Sequence, residues 1–515
     1  MQNIYGLLID TVSIQKYIYS SNKLKENIGA SFIVEDIYIG LMKKSLIEVF
    51  GRDYPLDAWY SDKNYSFQMQ NNASLEFEVG YIGGGNALLF FKEEAKLKHF
   101  TRDWTRNLLV GYPGINTAMA CKEYSIENDD FKKYLDAMFE MLRKNKNENL
   151  LNTVVNKMNI SADCKLSDYA AEVVYHDSEG SSFISKLSKV KLEKADDSKM
   201  KIKEMCLLKE SKWEFTNKIN ELWQKEGENY VALVHIDGNN MGTKFQECKS
   251  LKDIRKLSHD IYTITQNSFK KLINYVIEKS DMLINTNHFD DEKTRMNKDN
   301  KIPLPIRSIV IGGDDITFIC NAKLGMHLAE KFIDSWISDD ESYPDLSACA
   351  GIAIIKSKYP FYRAYHLCEN LCSEAKKHAR KNSELIPNSN WLNYYILQNA
   401  TSKDIEEFKT SHFGPYLLDD KNEDCQIKKF KMGMNQFRKW PKSKMMLLKN
   451  FLQERSDVEE KLEELKIQGW ELPKIEYKTN YTQKGWRNNK TPYLDMIEFI
   501  DFYPQELIDN TEEEK

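Results

Sequence analysis

Residues 308–320 read SIVIGGDDITFIC, and residues 77–91 read FEVGYIGGGNALLFF. Each is a pair of short apolar runs around a glycine turn, which predicts a β-hairpin. The two turns align as YIGGGNALLF (81–90) over VIGGDDITFI (310–319). An apolar strand ending in aspartate precedes each one: IYGLLI (4–9) before Asp10, and VALVHI (231–236) before Asp237. Asp10 lies 73 residues before Gly83, and Asp237 lies 75 before Gly312. Between strand and hairpin comes an amphipathic helix, 31–50 in the first copy and 251–278 in the second. After each hairpin come a helix, a strand and a further helix: 93–109, 115–124 and 128–146, then 323–337, 346–356 and 360–381. A repeat on this scale decides the architecture before any single motif does. Two βαββαβ units predict an α+β fold with two ferredoxin-like domains. Helices on one face of an antiparallel sheet leave the other face open, and pairing of the two units is expected to cover it.

The domain reading follows from the repeat. Residues 1–146 form the first domain, 147–225 a lysine-rich helical connector, 226–400 the second domain, and 401–515 a mostly helical C-terminal region. The helical periodicity of that last region is clearest in LQERSDVEEKLEELK (452–466). A charged insertion, TNHFDDEKTRMNKDNKIPLP (286–305), precedes the second hairpin and reads as a mobile loop.

The chain has 515 residues, 41% hydrophobic and 29% charged, which fits a soluble multidomain protein. A net charge of −5 makes any nucleic-acid contact local. No signal peptide or membrane span is evident, so a cytoplasmic location is expected, with no membrane partner. The nine cysteines are scattered, without a CxxC, and Cys368 and Cys372 fit one helix face as packing residues.

The chemistry rests on the acids. A Gly-Gly-Asp-Asp tetrapeptide makes a good turn unaided. Gly85 and Asn86, however, stand where the second copy has Asp314 and Asp315, so the turn forms without acids. In this topology the first strand lies beside the hairpin, which brings Asp237 toward Asp314 and Asp315. Three carboxylates around one point repel unless a cation joins them. Mg²⁺ or Mn²⁺ takes hard oxygen ligands together with substrate phosphates, and two such ions serve nucleotidyl transfer. Glycines at the turn let phosphates approach the backbone. DGNNMG (237–242) adds a second small loop beside it.

The combination of DGNNMG with GGDD resembles the second palm domain of the large polymerase-like subunit of type III CRISPR effector complexes, the Csm and Cmr types. GIAIIKSKYPFYRAYHLCENLCSEAKKHAR (351–380) is similar to the strand and helix that follow in that palm. DTVSIQKYIYSSNKLKENIGAS (10–31) is similar to the family's degenerate first palm. The resemblance spans roughly residues 1–400 and implies a nucleotide cyclase-like palm. In that family the active palm joins ATP 3′ to 5′ into cyclic oligoadenylates when target RNA is sensed, as second messengers in antiviral defence.

Carried over, Asp237, Asp314 and Asp315 hold the metals and are the catalytic set. Gly238, Gly312 and Gly313 line the phosphate path, Asn239, Asn240 and Gly242 belong with them to the nucleotide-binding set, and Lys376 contacts the triphosphate. Ser20, Ser21, Lys23 and a Gly29-Ala30-Ser31 turn hold the acceptor ATP, while Asp10 remains in a first palm without metal. The expected partners are the nucleotide, RNA and effector backbone subunits, with self-association left open.

Three departures stand out. The family usually has an acid where this chain has Asn239. The sequence given carries no HD nuclease domain, since His176-Asp177 and His259-Asp260 are isolated pairs, and it has no cysteine-ligated zinc module between the palms. Two other readings therefore stay open: a non-catalytic nucleotide-binding scaffold, and a cyclic mono- or dinucleotide synthase outside CRISPR. Residues 426–449 hold eight Lys/Arg with Phe430, Phe437 and Trp440 interleaved, which suits single-stranded RNA or else an ordinary helix face.

Overall fold

The computed structural model describes residues 3–54, 56, 65–72, 74–126, 130–147, 157–158, 160–177, 180–286, 288–290, 296, 300–397, 412–455, 457–481 and 485–508. The first unit runs β1 (Asn3–Val12), α1 (Ile14–Ile18), α2 (Leu24–Asp36), α3 (Gly40–Phe50), β2 (Phe77–Gly83), β3 (Asn86–Phe91), α4 (Glu94–Gly111), β4 (Asn116–Ser125) and α5 (Phe131–Lys146). Its sheet has the order β2-β3-β1-β4. The connector contributes a hairpin, β5 (Val173–Asp177) and β6 (Gly180–Ile184), then α6 (Lys186–Met205) and β7 (Trp213–Glu214). It is therefore not purely helical: the alternating VVYHD and GSSFI segments pair with each other.

The second unit runs β8 (Tyr230–Gly238), α7 (Met241–Glu247), α8 (Leu251–Glu278), α9 (Ser280–Ile284), β9 (Ile302–Pro303), β10 (Ile306–Ile311), β11 (Asp315–Asn321), α10 (Gly325–Ser338), β12 (Ala348–Lys356), α11 (Phe361–Lys381), β13 (Trp391–Ile396) and β14 (Tyr416–Leu417). Its sheet, β10-β11-β8-β12-β13-β14, repeats the first sheet's order and adds two strands beyond β12. The C-terminal helices are α12 (Ile427–Phe437), α13 (Lys442–Glu454), α14 (Val458–Ile467) and α15 (Pro492–Phe499).

The repeat holds down to its irregularities. Both hairpins shift register at the same aligned place, between Val79 and Tyr81 and between Ser308 and Val310. β1 pairs with β3 so that Asp10 faces Asn86, and β8 pairs with β11 so that Asp237 faces Asp315.

The expected pairing of the units accounts for part of the cover on each sheet's open face: Leu251 and Ile254 of α8 join the first unit's cluster, and Ile28 and Ile33 of α2 join the second's. Each unit's own last helix supplies the rest. Tyr134, Met138 and Leu142 of α5 pack on Ile4, Leu8 and Phe90, and Cys368 and Leu371 of α11 join the cluster holding Leu233, Ala353 and Ile355. Gly351 admits α11, because a Cβ there would lie 2.0 Å from the Cys368 carbonyl oxygen. The thiols of Cys368 and Cys372 donate to the Leu233 and Cys349 carbonyls, as packing residues on an inward face would.

The units meet through their crossover helices: α2 lies against β10, and α8 lies against β2. Arg255 of α8, fully buried, donates to the carboxylate of Glu78 and to the carbonyls of Gly80 and Ser66. Tyr19 stacks on Tyr365 of α11 with ring centroids 3.9 Å apart.

Two further expectations meet the structure here. Phe430 and Phe437 are buried to 1% or less, and Trp440 packs in the same core, so these rings are not available for base stacking. Of the charged insertion read as a mobile loop, residues 287, 291–295 and 297–299 lie outside the described residues. Among the described residues no helix is long and apolar enough to cross a membrane.

Candidate active site

Strand pairing builds the site. Asp237 is the penultimate residue of β8, and its cross-strand partner is Asp315, the first residue of β11. The Gly238 amide donates to the Asp314 carbonyl at 3.0 Å, and the Gly312 amide donates to the Asp315 carbonyl at 2.8 Å. These bonds fasten the GGDD turn to the end of β8. A Cβ at Gly312 would sit 1.8 Å from Asp315 Oδ1, so a side chain there would displace that carboxylate. Gly313 and Gly242 face open space, with nothing within 4 Å of an added Cβ. Asn240 takes φ 56° as the N-cap of α7.

Electrostatics distinguish this turn from its repeat. Burial pushes the Asp314 carboxyl up to about 6, with the Asp237 charge adding to it. Burial pushes Asp315 up to about 7, and the charges of Asp314 and Asp237 act in the same direction. Lys376, from α11, places its Nζ 2.6 Å from Asp237 Oδ2 and donates to the Gly238 carbonyl at 2.8 Å. Its charge offsets the rise at both turn acids only in part. In the first unit the geometry recurs: Lys146, at the end of α5, lies 2.6 Å from Asp10 Oδ2. There the turn carries Gly85 and Asn86, and no acid cluster forms.

Among the described residues no three His, Cys, Asp or Glu side chains close into a ready-made metal cage. The donor set still fits a hard divalent cation. It offers oxygen ligands on adjacent strand ends, two of which burial and mutual repulsion push up toward neutral pH, a cost that a bound cation would relieve. Asp237, Asp314 and Asp315 are the residues that could hold it. His176 bonds Ser181 on the connector hairpin, and His259 pairs with Asp260 on α8 and bonds Tyr65; among the described residues neither HD pair belongs to a group of three possible ligands.

Several sequence expectations resolve in particular ways. Asn239 does not point at the acids. Its side-chain amide donates to Ser347 Oγ at 3.1 Å and to the Ser389 carbonyl at 3.4 Å, a donor role that an aspartate cannot fill. The Gly29-Ala30-Ser31 turn does not exist: these residues lie inside α2. Gly29 serves close helix packing, because a Cβ would lie 1.7 Å from the Lys191 carbonyl oxygen of α6. Ser20 Oγ accepts from buried Lys191, and Ser21 accepts from the Lys23 amide at the start of α2.

Sequence reasoning missed Thr265 and Trp336. Thr265 Oγ1, on α8, donates to the Gly313 carbonyl at 2.6 Å, and Trp336 Nε1 donates to Thr265 Oγ1 at 2.9 Å. Both side chains are buried to 1% exposure. No sequence signal singles out one threonine in a 28-residue helix.

A βαββ sheet with acids at the ends of its first and third strands, doubled by a copy without them, is the arrangement of a palm-domain protein. Residues 230–384 match the family model for Cas10/Cmr2, second palm domain. A solved Csm1-Csm4 cassette in complex with AMPPNP matches at TM-score 0.50 and 12% identity, over 98% of this chain and 70% of that chain. A Csm1-Csm4 subcomplex of the type III-A CRISPR-Csm interference complex matches at TM-score 0.49 and 12% identity, over 98% and 70%. No curated protein matches the chain.

Proposed function

We propose that this chain is a divalent-cation-dependent nucleotidyltransferase that joins nucleoside triphosphates, ATP foremost, 3′ to 5′ into cyclic oligonucleotides in type III CRISPR-like antiviral defence. The observation that carries the reading is the pairing of Asp237 with Asp315 at a turn whose two acids are pushed up by burial and mutual repulsion, inside the stretch that matches the family's second palm. The AMPPNP held by the similarly folded Csm1-Csm4 cassette supports a triphosphate substrate.

In the reaction the 3′-oxygen of one nucleotide forms a bond to the α-phosphorus of the next. The bond from that phosphorus to the bridging oxygen breaks, pyrophosphate leaves, and the hydroxyl proton passes to solvent. The divalent cation, when bound, lowers the pKa of the 3′-hydroxyl and neutralises charge on the phosphates. Asp237, Asp314 and Asp315 hold that charge in place. The bare backbone at Gly313 and Gly242 leaves room for phosphate oxygens. Lys376 exchanges Asp237 for the triphosphate. RNA, effector backbone subunits and further copies of the chain are the proposed partners.

A non-catalytic scaffold is the second reading. The Lys376–Asp237 ion pair favours it, since the pair satisfies the strand-end acid without metal. The test is incubation with each triphosphate and Mg²⁺ or Mn²⁺, with and without RNA, followed by mass spectrometry. Pyrophosphate and a cyclic product that vanish in Asp314→Ala/Asp315→Ala are expected. Nucleotide binding without product under every condition would leave the scaffold.

A further inference from the structure

Away from the GGDD turn, the C-terminal half of α11 walls a cavity of about 310 Å³. The other walls are Asn393 of β13, the segment His412 to Pro415, and Lys490. Lys377 and Lys381 sit four residues apart on α11 and so share a helix face. Lys490 reaches the same cavity from more than a hundred residues away in sequence. Its Nζ is steadied by the carbonyls of Phe413 and Gly414 at 3.4 and 3.5 Å, long contacts that leave donor capacity unused.

Lysines near a helix C-terminus ordinarily complement the helix dipole and stay solvated. Lys490 is not on that helix, so the dipole does not explain its place. Three ammonium groups line one cavity, and among the described residues none of them has a carboxylate partner.

The remaining walls offer these lysines little. Asn393 Oδ1 accepts from the Tyr394 amide at 3.0 Å, which fixes it as the acceptor end of the amide group. His412 Nε2, 2.9 Å from the same oxygen, therefore donates to it. The other ring nitrogen, Nδ1, lies 2.7 Å from buried Asp495. His412 thus presents no acceptor to the cavity. The Asn393 amide donates to Glu374, the one carboxylate among the lining residues, at 3.3 Å. His378, packed on Trp391, is held toward its neutral form by burial and by the charges of Lys490 and Lys381. Both lysines therefore act on one point inside the wall. Like charges gathered this way are a standing cost that a bound anion removes.

We propose that this cavity binds a phosphoryl group, at a site separate from the GGDD centre. Ammonium groups on flexible stems suit a multiply charged tetrahedral anion. Two sources carry that chemistry: a free polyphosphate and a phosphodiester backbone.

The test is titration calorimetry on the full chain in EDTA at low salt, with inorganic pyrophosphate in one arm and a short single-stranded RNA in the other. EDTA removes the cation that phosphate binding at GGDD needs, and persistence of the signal in Lys376→Gln locates it away from that centre. Binding of either probe is expected to weaken about tenfold or more in Lys377→Gln/Lys490→Gln. Should that pair disturb the fold by circular dichroism, Lys381→Glu, exposed on α11, carries the same expectation. Pyrophosphate binding alone assigns a free polyphosphate, and RNA binding alone assigns a backbone. Failure of both probes to bind, or equal binding by the variants, overturns the site.

Discussion

Replacing Thr265 by valine keeps the shape of the side chain and deletes one hydroxyl. That hydroxyl donates to the Gly313 carbonyl and accepts from Trp336 Nε1. The two losses differ. Gly313 is half-buried, so its carbonyl can turn to water, whereas Trp336 is 1% exposed and its indole N–H is left unpaired. A buried donor stranded in this way costs about 1–3 kcal/mol. The turn itself loses one hydrogen bond worth about 1 kcal/mol net, so at 1.4 kcal/mol per decade its local opening becomes roughly fivefold more frequent, while the stranded indole lowers global stability. Native-state hydrogen exchange reads this directly at the Gly312 and Gly238 amides, which bond the Asp315 and Asp314 carbonyls. Both should exchange roughly fivefold faster, and Mn²⁺ affinity should fall about 10–100-fold, as when other supporting residues of metal sites are removed. Thr265→Ser keeps the hydroxyl and should restore both. Unchanged exchange and Mn²⁺ affinity in Thr265→Val would refute the claim that α8 holds the turn.

The turn acids also predict a pH dependence. Folding raises Asp314 to about 6 and Asp315 to about 7 from 3.8, so between these values the folded chain binds protons that the unfolded chain has lost. Their contribution to stability is complete below pH 3.8 and disappears as pH rises through about 6 and 7. Denaturation in EDTA should show that loss, and saturating Mg²⁺ should suppress it; an equal loss in Asp315→Asn would count against the assignment. Lys376→Ala breaks a part-exposed ion pair worth at most about 1 kcal/mol, yet it should raise Mn²⁺ affinity in calorimetry by removing a competing cation from Asp237. Arg255→Ala strands Glu78 at 0% exposure between the two units and should cost about 3–5 kcal/mol, read by chemical denaturation. Gly29→Ala drives a Cβ into the Lys191 carbonyl and should destabilise the chain by about 1–3 kcal/mol or more. Reduced nucleotide binding at unchanged stability would instead revive a nucleotide-binding role for that segment.

Sequence alone determined the repeat, the strand order it implies and the acid turn, because these are written in local patterns. Alternation, glycine turns and strand-terminal aspartates can be read residue by residue, and the acid-free copy at 81–90 served as an internal comparison. Even the register shift in the two hairpins follows the alignment. Tertiary structure decided everything that depends on distant segments meeting. It turned Gly29 from a turn residue into a helix-packing residue, because α6 comes from a connector whose pairing no local pattern announces. It placed Phe430, Phe437 and Trp440 in a core instead of on a nucleic-acid surface, since an amphipathic helix shows which residues share a face but not what that face meets. It gave Asn239 a donor role toward Ser347 and Ser389, more than a hundred residues away. It set Lys376 on Asp237, and Lys146 on Asp10, across gaps that only the closing of each last helix over its sheet can bridge.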